Sequence, residues 1–171
     1  NKRTDHVYII AEIGINHDGC LETALKLIDA AKAAGVDAVK FQKRDITSIY
    51  TQDVVDDPNS QEWNIEYLLE ELKTVELTKD DYEQIRERCL SLALDLIITP
   101  FDIVSADFVV EQGVAAFKNA SCNMINFELL EHMISKDLPI LISTGMWSDS
   151  EILEATEFLK ERGAEFSLML A

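Results

Sequence analysis

Five times along this chain a short aliphatic run gives way to a reactive polar side chain, and amphipathic stretches separate the runs. Val7 to Ile10 leads into Ala11-Glu12-Ile13-Gly14-Ile15-Asn16-His17-Asp18-Gly19, and Ala38-Val39 into Lys40-Phe41-Gln42-Lys43. Leu96 to Ile98 leads into Thr99-Pro100-Phe101-Asp102, Ala115 to Phe117 into Lys118-Asn119-Ala120-Ser121, and Pro139 to Ile142 into Ser143-Thr144-Gly145. A sixth run begins near Phe166. Short, continuously apolar runs are the signature of parallel strands covered on both faces.

The segments between carry helix punctuation. Leu21 to Ala34 places Leu21, Ala24, Leu25, Ile28 and Ala31 on one face and stops at Gly35. Thr78 with Asp81 resembles a capping box opening a helix over 79–93, and Ser148 with Glu151 is an S-x-x-E box for a helix stopping at Gly163. A helix starting at Asp102 or Ser105 would close at Gly113, and Asn126 precedes the stripe Phe127, Leu130, Met133 and Ile134. The order is therefore β-α-β-(long insertion)-α-β-α-β-α-β-α-β, with strands starting near 7, 38, 95, 115, 139 and 166. Repeated βα units give an α/β fold with a parallel sheet and right-handed crossovers.

A doubly wound sheet and a (β/α)8 TIM barrel both fit that order. No G-x-G-x-x-G or G-x-x-x-x-G-K-[ST] follows a strand. Polar residues stand at every strand end rather than at one switch point, which favours the barrel. Only about six of its eight βα units are accounted for. With no initiating Met and an end inside an apparent strand, Phe166 to Ala171, the 171 residues read as a piece of a longer protein.

The long connection from Arg44 to Leu77 breaks the short-loop pattern. It reads either as a binding loop or lid, or as a solvated insertion packed on the barrel's side. Trp63, Tyr67, Leu68, Leu69 and Leu72 could form a small amphipathic helix within it.

A net charge of −17 argues against nucleic acid or an anionic membrane as partner, since either needs basic patches. No apolar run is long enough to span a bilayer, and no signal peptide opens the chain. Cys20, Cys89 and Cys122 lack C-x-x-C spacing, so reduced thiols and a cytoplasmic location are the expectation.

Glu12 lies within an apolar strand and needs a cation or a substrate hydroxyl as partner. His17 suits a turn hydrogen bond. Lys40 and Gln42, two apart on a strand, share one face, and Thr99 and Phe101 repeat the spacing on the next strand. Lys118 lies on the fourth strand with Ser121 just beyond. Two buried lysines require anions. Hydroxyls of Thr99, Ser121, Ser143 and Thr144 would add donors for phosphate or carboxylate oxygens. His6, His17 and His132 show no metal-ligand spacing. These residues alone indicate a barrel enzyme acting on a substrate with phosphate, carboxylate or both.

The same residues carry a family resemblance. AEIGINHDG at 11–19, GVDAVKFQ at 35–42, TPFD at 99–102, FKNAS at 117–121 and PILISTGM at 139–146 occur in order across nearly the whole chain. Together they resemble the sialic acid synthase family, which makes N-acetylneuraminate and related nine-carbon acids. The resemblance implies a (β/α)8 barrel that condenses phosphoenolpyruvate with an open-chain N-acylated amino sugar and releases phosphate. It also implies a divalent metal, Mn²⁺ or Mg²⁺, as Lewis acid, with ligands beyond Ala171. A cytosolic homodimer is implied as well, with a C-terminal antifreeze-like domain that is outside this chain. Glu12 would contact the sugar and take part in proton handling. Lys40, Thr99, Lys118, Ser121 and Ser143 would hold phosphoenolpyruvate, and Gln42 and Phe101 would shape the sugar end. Cys122 and Asn123 depart from the pattern: many members have a small residue and then a sugar-contacting acid. Asn123 would therefore meet the sugar, and related bacterial acids or a spore-coat sugar acid remain open as products. Two rivals stand beside this reading: a Schiff-base aldolase using Lys118, and a non-catalytic barrel binding a sugar or phosphoenolpyruvate.

Overall fold

A computed structural model describes residues 6–56 and 65–170. Its sheet has six parallel strands in the order β1-β2-β3-β4-β5-β6. They are β1 (Ile10–Gly14), β2 (Ala38–Lys43), β3 (Asp95–Pro100), β4 (Ala116–Asn119), β5 (Ile140–Ser143) and β6 (Phe166–Met169). A doubly wound sheet would reverse its strand order at a switch point. Strictly sequential order instead curls the sheet one way, and the result is a half-barrel with helices outside.

The crossover helices follow their sequence signals closely. α1 (Leu21–Ala33) fills the first crossover. The insertion holds α2 (Ile46–Ile49), α3 (Gln52–Asp56) and α4 (Ile65–Val75) rather than one small helix. Asp45 starts α2, its carboxylate accepting from Ser48 N at 2.9 Å and Thr47 Oγ1 at 2.6 Å. Trp63 lies outside the described residues, while Leu69 and Leu72 are buried. α5 (Lys79–Ser91) opens with both halves of the Thr78–Asp81 capping box, so Asp serves where Glu is more usual. Asp102 caps α6 (Ile103–Glu111), Asn126 caps α7 (Phe127–Ile134), and the Ser148–Glu151 box opens α8 (Asp149–Glu161).

β1 begins at Ile10 rather than near residue 7: Val7, Tyr8 and Ile9 precede the ladder and are exposed. Their neighbour on that side would be a strand beyond β6, and β1 and β6 are both edges. Elsewhere strand alternation decides which side chains meet the helices. Val39 and Phe41, Leu96 and Ile98, Phe117, and Ile140 and Ile142 turn outward into one core with Ile28, Tyr82, Ile85, Val109, Leu130 and Leu159. The intervening residues turn to the concave side, and the chemistry lies there.

Candidate active site

On the concave face the register sets the site. Glu12 of β1 is paired with Lys40 of β2, and a one-residue bulge at Ile13 brings Gly14 opposite Phe41. The Lys40 ammonium lies 2.6 Å from the Glu12 carboxylate. Lys40 itself is 4% exposed, whereas the Glu12 side chain is 53% exposed. Glu12 is thus no buried carboxylate inside an apolar strand: the bulge and the open edge give it solvent. The pair is asymmetric, a buried cation held by an accessible anion.

Lys118 of β4 reaches the same space from the far side. Its Nζ donates to Ser143 Oγ on β5 at 2.7 Å. Burial pushes its pKa below the ordinary lysine value and the neighbouring Lys40 charge lowers it further, while Glu12 and Cys122 pull the other way. A cation sensing Lys40 and Glu12 across the sheet marks one shared electrostatic site. Thr99 of β3, 2% exposed, has an Oγ1 without a hydrogen-bond partner. An orphan buried hydroxyl is costly in a folded protein and is a common mark of a place a ligand completes. Lys40, Lys118, Thr99 and Ser143 therefore stand on the concave side of the sheet, where their donors can receive anionic oxygens.

The rim is built by the strand ends. Gln42 pairs with Thr99 in the ladder, and its carbonyl accepts from the Tyr82 hydroxyl at 2.5 Å. Beyond it stands Arg44, which sequence reasoning passed over. Its guanidinium lies 3.7 Å from the Phe101 ring centroid, and its Nη2 donates to Gln42 Oε1 at 2.7 Å. The i, i+2, i+4 spacing of Lys40, Gln42 and Arg44 was the signal available for it. Asn123 Nδ2 donates to the Phe101 carbonyl at 3.2 Å, so Gln42, Arg44, Phe101 and Asn123 form one connected group. Ser121 starts a 3-10 turn, Ser121–Asn123, pinned by Trp147 Nε1 donating to the Ser121 carbonyl at 2.5 Å.

Two residues have other work. Thr144 Oγ1 donates to the Met169 carbonyl at 3.1 Å, tying β5 to β6 instead of offering a donor to a ligand. His17 is 1% exposed; its Nδ1 accepts from Gly19 N at 3.2 Å and its ring stacks on Phe41. Burial lowers its pKa, which favours the neutral ring that holds this turn.

Outside the concave face, a cavity of about 500 Å³ shares Phe101 and Asn123 with the rim and extends past Ser48, Asp102 and Glu128. It contains neither lysine. Among the described residues no three of His, Cys, Asp or Glu converge as metal ligands would.

The profile described as the NeuB family matches residues 27–171. The chain is 37% identical to an N-acetylneuraminate-9-phosphate synthase of Drosophila melanogaster, over 98% of this chain and 46% of the relative. It is 38% identical to an N,N'-diacetyllegionaminic acid synthase of Legionella pneumophila, over 90% of this chain and 44% of that one. The solved N-acetylneuraminic acid (sialic acid) synthetase of Leptospira borgpetersenii superposes with a TM-score of 0.83 at 31% identity, covering 97% of this chain and 54% of its own. The chain spans about half the length of the curated relatives it matches.

Proposed function

The chain belongs to the NeuB family, and on that footing we propose that its protein condenses phosphoenolpyruvate with an open-chain N-acylated amino sugar. The product is a sialic acid or related nonulosonic acid, and phosphate leaves. One observation carries the reading: ammonium groups from β2 and β4, Lys40 and Lys118, share one concave site beside an orphan hydroxyl and a carboxylate. A small donor bearing both carboxylate and phosphate matches two cations better than a neutral sugar does.

In this mechanism the lysines, with Thr99, Ser121 and Ser143, fix the donor's oxygens and lower the cost of charge that moves during reaction. Carbon 3 of the donor attacks the sugar aldehyde carbon, and the aldehyde oxygen takes up a proton. Water adds at carbon 2, and the tetrahedral intermediate expels phosphate with cleavage of the C–O bond, leaving a keto acid. Glu12, exposed and already bonded to Lys40, is placed to bind a sugar hydroxyl and to shuttle the proton. Gln42, Phe101 and Asn123 line the acceptor's side. Mn²⁺ or Mg²⁺ would polarise the aldehyde when bound, held by residues beyond those described. The same reading comprises a cytosolic homodimer, the remaining barrel strands and a small C-terminal domain. The share of each relative left uncovered leaves room for those parts. No helix among the described residues is long and apolar enough to cross a membrane.

The test is a panel of N-acyl amino sugars offered with phosphoenolpyruvate to the full-length protein, reading phosphate release. Release that depends on one acceptor class is the expected result; donor and acceptors all left intact would overturn the proposal. A second reading has its own observation, the depressed pKa of the half-buried Lys118, which also suits an amine nucleophile. Borohydride trapping with pyruvate would label Lys118 under that reading and leave it unlabelled under the first.

A further inference from the structure

Arg44 is the cation the proposed mechanism leaves unused. It lies just past the end of β2, four residues beyond Lys40 and about 13 Å from it along an extended backbone, further out on the rim than the donor's oxygens. Its guanidinium forms no ion pair among the described residues. The nearest acid, Glu76, is already committed, with Oε2 on Lys43 Nζ at 2.6 Å and Oε1 on the Arg44 backbone N at 3.1 Å. Asp102, on the next strand's end, is spent on Ser105 N, Ser105 Oγ and Asp45 N.

Phe101 on one face and Gln42 at Nη2 hold the guanidinium plane in place, and Nη1 is closed off from solvent without a partner. A guanidinium is always charged, and its fork matches the oxygens of a phosphate or carboxylate. Holding such a group rigid, partly buried and unpaired is costly unless an anion completes it. Gln42 and Asn123, connected to it at the rim, are neutral, and Arg44 is the cation of that group; the carboxylates Asp102 and Glu128 line the cavity beyond it.

From this geometry we infer that Arg44 is a specificity residue that selects an acceptor bearing a phosphate ester at the end remote from its aldehyde. The inference rests on the synthase reading above and narrows it. The two curated relatives of nearly equal identity have names that differ on this point, one product carrying a phosphate and the other not. Family membership alone leaves the choice open, and the rim decides it. The donor site holds the reacting end of the acceptor near Lys40 and Lys118, and the chain of the sugar runs outward past Gln42 to Arg44.

The experiment measures phosphate release from phosphoenolpyruvate by the full-length protein with N-acetylmannosamine and with its 6-phosphate as acceptors. It compares the wild type with R44A, R44Q and R44K. The expected result is a wild-type preference for the phosphorylated acceptor. R44A and R44Q should then lower kcat/KM for it at least tenfold more than for the unphosphorylated sugar, chiefly through KM, with R44K between. A melting curve for each variant serves as the folding control. Equal losses on both acceptors, or a wild type that prefers the unphosphorylated sugar, overturn this inference while the synthase reading stands. No release with either acceptor overturns this inference, and none with any sugar of the wider panel overturns both.

Discussion

Lys118 shows how a side chain can be placed for binding at the expense of stability. Its ammonium is half-buried, near a second ammonium, with a serine hydroxyl as its only direct partner among the described residues. Below its depressed pKa both folded and unfolded states hold the proton, so the burial penalty is fully present. As pH rises through that pKa the folded protein sheds the proton first, and the penalty fades towards the ordinary lysine value. Replacing Lys118 with Met should therefore leave the thermal midpoint at neutral pH unchanged or raised. The same change should weaken phosphoenolpyruvate binding by about 2–3 kcal/mol, the scale of a lost charge-assisted pair. Calorimetric titration and a melting curve on one preparation read both; unaltered affinity would count against Lys118 as an anchor.

The same linkage predicts a proton signature. A bound dianion favours the charged lysine and raises its pKa, so on the alkaline side of neutrality binding should take up protons. Titrations in buffers of differing ionisation heat would show this as a buffer-dependent enthalpy that vanishes in the Lys118→Met variant. A buffer-independent enthalpy throughout the alkaline range would mean that Lys118 does not titrate with the ligand.

At the scale of elements, the insertion is fastened to the barrel by a close backbone approach as well as by side chains such as Glu76. Gly19, in the turn after β1, has φ +68°. A Cβ built there would stand 2.1 Å from the carbonyl oxygen of Thr74, near the end of α4. Any side chain would have to push α4 away, in addition to the cost of about 1–2 kcal/mol for an L-residue in the left-handed region. Gly19→Ala should destabilise the protein by about 2–4 kcal/mol and loosen α4 selectively, seen as faster hydrogen exchange in 69–75 than in α8. A uniform change in exchange would contradict this picture. Leu69, Leu72 and Val75 of α4 are buried, and Glu76 next to them secures Lys43 and the Arg44 backbone. The insertion therefore positions the rim rather than merely decorating the barrel's flank.

Boundaries of the regular elements were legible from composition. Asp102, Asn126, Ser148 and the Thr78–Asp81 pair act as caps where their spacing indicates, because capping is a local exchange between one side chain and the next turn's N–H groups. The three helices of the insertion were less legible. α2 and α3 are each under six residues, too short for a periodic signal, and are held by Asp45 and by neighbours distant in sequence. β1 starting at Ile10 follows the same logic. Val7 to Ile9 have strand composition, but a strand needs a partner in the ladder, and pairing is a property of the sheet.

At the scale of the whole molecule, the two edges of the half-barrel dominate behaviour. β1 and β6 each present an unpaired ladder side, and Val7, Tyr8, Ile9, Leu168 and Leu170 are exposed around them. Exposed apolar edge strands are templates for association. The 171-residue chain produced by itself should accordingly self-associate as its concentration rises, despite its −17 charge. Sedimentation velocity across a concentration series would show it, and a single monomeric boundary throughout would show that these edges are shielded in some other way.

The order of βα units, the polar side chain at each strand end and the need of two lysines for anions were all determined by the sequence, because periodicity and desolvation act on residues close in the chain. Which of those side chains share a space was decided only in three dimensions. The curl of a sequentially ordered sheet brings β2 and β4 to one concavity. The bulge at Ile13 sets Glu12 against Lys40, and the pairing of Glu76 with Lys43 leaves Arg44 without an anion. Each of these depends on register and on competition between distant partners, and such pairings exist only once the chain has closed upon itself.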